Sequence, residues 1–392
     1  MTVIVWTAVG SLAAWLWLLL GQGFFWRTDV RLPPGEDPPR GGWPAVCVVV
    51  PARDEAAVLG ESLPSLLAQD YPGRAEVFLI DDGSTDGTGE LARDLARRGG
   101  GLPLTVASPG EPPAGWTGKL WAVRHGVALA RAREPEYLLL TDADIAHAPD
   151  SLRRLVAAAR TGGFDVVSQM ARLRVESLWE RLVVPAFVYF FAQLYPFRWI
   201  GRRGGRTAAA AGGCVLLRAE TAERARIPDA IRHAVIDDVA LARAVKGGGG
   251  HIWLGLADRV DSVRPYPRLH DLWRMVSRSA YAQLRHNPLL LAGTVAGLAL
   301  VYLAPPVAVV AGLAAGGAAA LAGGAAWLVM TATYVPMLRY YRQPLWLAPL
   351  LPFTAFLYLL MTVDSAVQHY RGRGAAWKGR TYARPEALPE EG

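Results

Sequence analysis

The chain has 392 residues, 52% of them hydrophobic and 19% charged, with a formal net charge of +7 and a pI near 9.6. The charged share is below the roughly 25% of an average soluble domain, and apolar residues concentrate in the first 26 residues and after Pro288, which excludes a uniformly water-soluble chain. Arginines gather beside apolar segments (27 and 31, 198–206, 339 and 342, 371–380) with no zinc-finger spacing or basic helical stripe, which points to a membrane surface and away from nucleic acid; two cysteines, Cys47 and Cys214, make no disulfide framework.

Residues Val3 to Leu20 form an uncharged apolar run long enough to span a bilayer. No basic residue precedes it and no small-residue cleavage site follows, so 1–26 reads as a retained anchor and not a signal peptide. Arg27 and Arg31 place the following domain, 43–287, in the cytoplasm by the positive-inside rule. There, apolar strand runs alternate with helical patterns: strand 45–50, helix 55–68, strand 76–80, helix 86–97, helix 119–132 and strand 137–140. Such alternation predicts an α/β, Rossmann-like domain with a parallel sheet, its ligands beyond the carboxyl ends of the strands.

The loops at those ends carry the chemistry-bearing residues. After the first strand comes Pro51-Ala52-Arg53-Asp54-Glu55. After the second comes Asp81-Asp82-Gly83-Ser84-Thr85-Asp86, whose glycine permits a sharp turn and whose Ser84 or Thr85 is expected to cap the next helix. After the third comes Thr141-Asp142-Ala143-Asp144; alternation puts Asp142 and Asp144 on one side, and hard oxygen donors of this kind suit Mg²⁺ or Mn²⁺. Each motif alone also fits plain acidic turns or helix capping. Lys119, after Gly115-Trp116-Thr117-Gly118, sits at a helix start, where ammonium and helix dipole both favour phosphate. Asp237-Asp238 opens another helix, with one carboxylate expected to cap and one to face inward as a general base.

Two stretches, 178–200 and 268–286, mix aromatic, apolar and basic residues and read as interfacial helices, the first interrupted at Pro185 and Pro196. From Pro288 to Leu338 no charge occurs, which fits two spans joined by a turn near Pro305-Pro306 or near Gly316; Leu345 to Val363 follows as a third apolar stretch within 288–366. Four full spans would put the basic tail, 367–392, outside the cytoplasm, against the positive-inside rule, so one segment, first of all the proline-broken last stretch, is expected to be re-entrant or interfacial.

Taken together, Pro51 to Glu55, Asp81 to Asp86, Gly118-Lys119, Asp142-Ala143-Asp144, Gly212-Gly213-Cys214 and Asp237-Asp238 resemble the family 2 inverting glycosyltransferases with the A-type nucleotide-sugar-binding fold. Leu272 to Val276, Tyr281 to Arg285, the run 288–306 and Trp377 to Tyr382 resemble the hopanoid-associated members, related to carotenoid and ceramide glycosyltransferases. The resemblance implies a nucleotide-sugar donor held by Pro51, Ala52, Arg53, Glu55, Asp82, Lys119, Asp142 and Ala143, and a metal on Asp144. It implies an acceptor side at Gly212, Gly213, Cys214 and Asp237, and Asp238 as the base for a lipid hydroxyl. A processive synthase would carry Gln-x-x-Arg-Trp; here Gln283-Leu284-Arg285-His286 lacks the tryptophan, leaving Gln283 and Arg285 as acceptor-side candidates. A nucleotidyltransferase and a non-catalytic membrane lipid-binding protein are the rival readings. The expected localisation is the cytoplasmic membrane, with membrane lipids as partners.

Overall fold

The run Val46–Ala52 (β1) is buried at every position, the signature of a strand covered on both faces. It lies inside an eight-stranded sheet with β2 (Ala75–Asp81), β3 (Leu104–Ala107), β4 (Tyr137–Thr141), β5 (Ile145–His147), β6 (Val166–Arg172), β7 (Cys214–Arg218) and β8 (Ile252–Ser262), in the order β3-β2-β1-β4-β7-β6-β8-β5. The computed structural model describes residues 2–33, 42–315, 317–372, 376–377 and 380–381, the last two pairs by their backbone alone. β3, β2, β1 and β4 are mutually parallel, as expected. The rest of the sheet corrects the all-parallel expectation: β7 runs antiparallel to both β4 and β6, and β5 antiparallel to β8. The apolar pattern of a short strand carries no direction, and β7 follows a long intervening segment that lets it enter reversed.

Packing divides the chain into two compact units. The sheet unit is built mainly from Val30–Arg174 and Ile200–Pro265; the other unit comprises Met1–Asp29, Val175–Trp199 and Tyr266–Ala375. The sheet unit has its core on Val48, Val50, Leu59, Leu63, Val77 and Leu139. The segments read as interfacial helices, 178–200 and 268–286, fall largely in the second unit, with the apolar helices.

Among the described residues of that second unit, four helices are long and apolar enough to cross a membrane: Thr2–Leu20, Pro288–Ala314, Ala318–Tyr340 and Leu345–Tyr370. The chain does not turn at Pro305-Pro306, which lie inside helix Ala304–Ala315; the helical break falls beside residue 316, itself outside the described residues. Residues Ala299–Leu303 wind as a π-helix just before the prolines. A regular helix would pair the Val301 carbonyl with the nitrogen of residue 305, which as proline has no hydrogen. The indole N–H of Trp15 donates to that carbonyl at 2.7 Å instead, and the Trp15 and Tyr302 rings meet edge-on at 5.4 Å.

Pro185 does not break its segment either: helix Leu178–Leu194 runs through it, opened by a capping box of Ser177 and Glu180. One proline costs one backbone bond, and burial of Val183, Val184, Val188 and Tyr189 holds the helix together. Helix Leu269–Gln283 is tied to Leu351–Tyr370 by Trp273, whose indole donates to Asp364 at 2.9 Å. Gln283 donates to the Tyr195 hydroxyl within the same unit. Of the Trp377 to Tyr382 motif, the backbones of Trp377 and Arg380 pair antiparallel, while Lys378, Gly379, Tyr382 and nearly all of the basic tail lie outside the described residues.

Candidate active site

The carboxyl ends of β1, β2 and β4 carry the expected loops, and the first two are stitched together by side chains. The Ser84 hydroxyl accepts from the Asp54 backbone at 2.9 Å, and Asp54, in the left-handed region at φ 51°, accepts from the Thr85 backbone at 2.8 Å. Neither Ser84 nor Thr85 caps the next helix. Gly87 (φ 83°) starts it, and Asp86 serves both loops, accepting from the backbones of Ala56 and Thr88. Arg53 donates to the Asp82 carbonyl and stands 3.5 Å from the carboxylate of Asp82, itself 1% exposed. Ala52 and Ala143 bury their side chains and shape the loops through their carbonyls, which accept from the Asp82 backbone and the Ser62 hydroxyl.

Lys119 gathers the second group. Thr117 caps helix Gly118–Arg131, accepting from the Leu120 backbone, so Lys119 stands in the first turn. Its Nζ lies 2.8 Å from Asp142 and 3.1 Å from Asp237. Burial opposes its charge, but the Asp142 and Asp237 carboxylates outweigh that and hold its pKa above the ordinary lysine value. Burial raises the Asp142 pKa; Lys119 opposes this, while Asp144 and Asp237 add to it. Asp237 and Asp238 open helix Asp237–Gly247, and neither caps it. Asp238 instead turns to Gly212, accepting its N–H at 2.9 Å, and accepts the Val239 N–H at 2.7 Å. Burial, reinforced by Asp237, pushes the Asp238 carboxyl up to about 6. Pro51, Lys119, Asp142, Gly212, Asp237 and Asp238 line a single recess. A carboxylate titrating near neutrality beside a fixed ammonium suits proton abstraction next to a bound anion.

Asp144 belongs to a third group that sequence reasoning missed. Arg264, just after β8, donates through Nε to Asp144 at 2.8 Å and through its terminal nitrogen to Glu55, with Ser262 3.4 Å from the same Asp144 oxygen. The only sequence signal was a basic residue after a strand at the same sheet edge, and β8 was itself not recognised. Gly213 accepts from the Thr141 hydroxyl at 2.7 Å. The Cys214 thiol is wholly buried and pushed up to about 12 by burial. Gln283 and Arg285 belong to the other unit.

Among the described residues no three side chains form a metal cage. The donor chemistry at Asp144, a single hard carboxylate at a strand end, fits the binding mode in which Mg²⁺ or Mn²⁺ takes one or two carboxylates and completes its shell with substrate phosphates and water.

Residues 47–224 match the model of Glycosyl transferase family 2. The chain is 30% identical over 203 residues to the beta-monoglucosyldiacylglycerol synthase of Synechocystis, covering 46% of this chain and 40% of that protein. It is 36% identical over 138 residues to the undecaprenyl-phosphate 4-deoxy-4-formamido-L-arabinose transferase of Aeromonas hydrophila, covering 34% and 38%. The chain thus spans about two fifths of the length of these curated relatives. Among solved structures it shares its fold with the mannosyltransferase PcManGT of Pyrobaculum calidifontis, in complex with GDP-Man and Mn²⁺, at a TM-score of 0.59 and 22% identity, covering 92% of this chain and 99% of that one. Over residues 47–224 the chain carries a glycosyltransferase domain of family 2.

Proposed function

We propose that this chain is an integral membrane enzyme that transfers a sugar, with inversion, from a nucleotide-sugar to a hydroxyl of a lipid. The observation that carries the reading is the joining of the Asp142, Asp237 and Asp238 carboxylates through Lys119 and Gly212 at the carboxyl edge of the sheet. Two relatives whose names denote sugar transfer to lipid-type acceptors support the acceptor class. The resemblance of the sequence to hopanoid-associated enzymes favours a hopanoid or other isoprenoid lipid as acceptor, with a UDP-sugar as donor. The four apolar helices anchor the chain, and Arg27 with Arg31 orients the catalytic unit to the cytoplasmic side of the cytoplasmic membrane.

In this reading Arg53, Glu55 and Asp82 frame the nucleoside, and Lys119 offers its ammonium to the diphosphate. Asp144 would hold a divalent cation, which would supply Lewis acidity to the departing diphosphate. Asp238 takes the proton of the acceptor hydroxyl, whose oxygen attacks the anomeric carbon from the face opposite the diphosphate. The fixed N–H groups of Gly212 and Val239 aim the Asp238 carboxylate without neutralising it. D238N tests the assignment: it should keep donor binding and lose turnover, and full turnover in D238N overturns the base role.

A further inference from the structure

The geometry around Asp144 contains a cation supplied by the chain itself. Arg264 donates through Nε to Asp144 at 2.8 Å and through its terminal nitrogen to Glu55, so one guanidinium is held at both ends by carboxylates from the β1 and β4 loops. The side chains of Asp144 and Glu55 are both largely buried, 15% and 9% exposed. A divalent cation arriving alone must share Asp144 with the guanidinium, whose Nε and the Ser262 hydroxyl both sit on Oδ2, or displace it; either way a second cation stands beside the first, which is costly where water is scarce. A diphosphate changes that balance, because its oxygens offer Arg264 a replacement acceptor, and guanidinium matches phosphate geometry well.

We propose that Arg264 is a charge latch on the metal carboxylate: it closes Asp144 in the donor-free protein, so that a divalent cation binds tightly only together with a nucleoside diphosphate. The inference rests on the glycosyl-transfer reading above and deepens it by naming what couples metal to donor. When the latch opens, Nε leaves Asp144 and turns to phosphate oxygen, while the bond to Glu55 keeps the guanidinium in the site. Arg264 is then a positioning residue. Its signature is thermodynamic coupling between two ligands, which a purely structural ion pair would not produce.

The test is Mn²⁺ binding to the full-length protein in detergent, read from the free-ion EPR signal, with and without UDP or GDP. The unaltered protein should bind Mn²⁺ weakly alone and at least about tenfold more tightly with the nucleotide. R264Q should bind Mn²⁺ alone about tenfold more tightly than the unaltered protein and lose most of the nucleotide effect, and adding D144N to R264Q should abolish the gain. R264K, which keeps the charge and guards against a folding failure of R264Q, should fall between the two. A R264Q protein with unchanged Mn²⁺ affinity and unchanged coupling overturns the latch while leaving the transferase reading intact, as does a gain that survives D144N. Failure of both nucleotides to tighten Mn²⁺ on the unaltered protein overturns the latch and the donor assignment together.

Discussion

Lys119 Nζ and Asp237 Oδ2 stand 3.1 Å apart, each carried by the first turn of a different helix. The contact lets one ammonium offset the charge of Asp142 and Asp237 and bear on Asp238 next to them. K119A should therefore do two things. It leaves the carboxylates facing one another, lowering stability by up to about 3 kcal/mol, as when one partner of a buried ion pair is removed. It also removes the charge that lowers the Asp238 pKa, so the acid limb of any remaining activity moves to higher pH. Thermal unfolding and a pH–rate profile check the two effects separately.

The Asp238 carboxyl, raised by burial and by Asp237 to about 6, fixes the expected pH profile. Proton abstraction needs the ionised form, so kcat/KM should fall as pH drops through about 6, and not near 4 where an ordinary aspartate titrates. In D238N turnover should fall by a factor of about 10² to 10⁴ across the whole range. Initial rates from pH 5 to 8.5 in both proteins measure this.

A further prediction concerns the packing of the helix that carries Lys119 against β1 and β2. A Cβ on Gly126, in the helix that carries Lys119, would lie 2.5 Å from Val49 Cγ1 and 3.0 Å from Ile80 Cγ1. Both neighbours are fixed in β1 and β2, so G126A should destabilise by about 1–3 kcal/mol through overpacking. That exceeds the helix-propensity gain of about 1 kcal/mol, and denaturant unfolding of the two proteins decides the sign.

Much of this was legible in the sequence for a physical reason. The β1, β2 and β4 runs are wholly or nearly wholly buried, so their apolar patterns are unbroken, and the loops at their carboxyl ends announce Asp82, Asp142 and Asp144 directly. Lys119 and Asp238 were visible as charges at helix starts. Strand direction was not legible, because β7 reads the same both ways. Nor was Arg264: its partners Glu55 and Asp144 lie far away in sequence, and only the fold brings them to it. The double proline at 305–306 misled because sequence reading charges a helix for lost N–H groups without seeing the distant Trp15 that satisfies one freed carbonyl.

That last contact is itself testable. W15F keeps the ring against Tyr302 and removes the only donor of the indole, leaving the Val301 carbonyl without it. The loss should be about 1 kcal/mol, in the range of side-chain hydrogen bonds within membranes. Unfolding in detergent micelles, compared with the unaltered protein, measures it.

The most direct test of sugar transfer is to incubate membranes bearing the protein with a panel of radiolabelled nucleotide-sugars, extract the lipids, and determine their masses and the nucleotide released. The predicted result is a lipid heavier by one sugar, with a nucleoside diphosphate released, dependent on Asp144 and Asp238. Release of pyrophosphate, or a labelled lipid formed equally well by D144N and D238N, would contradict it.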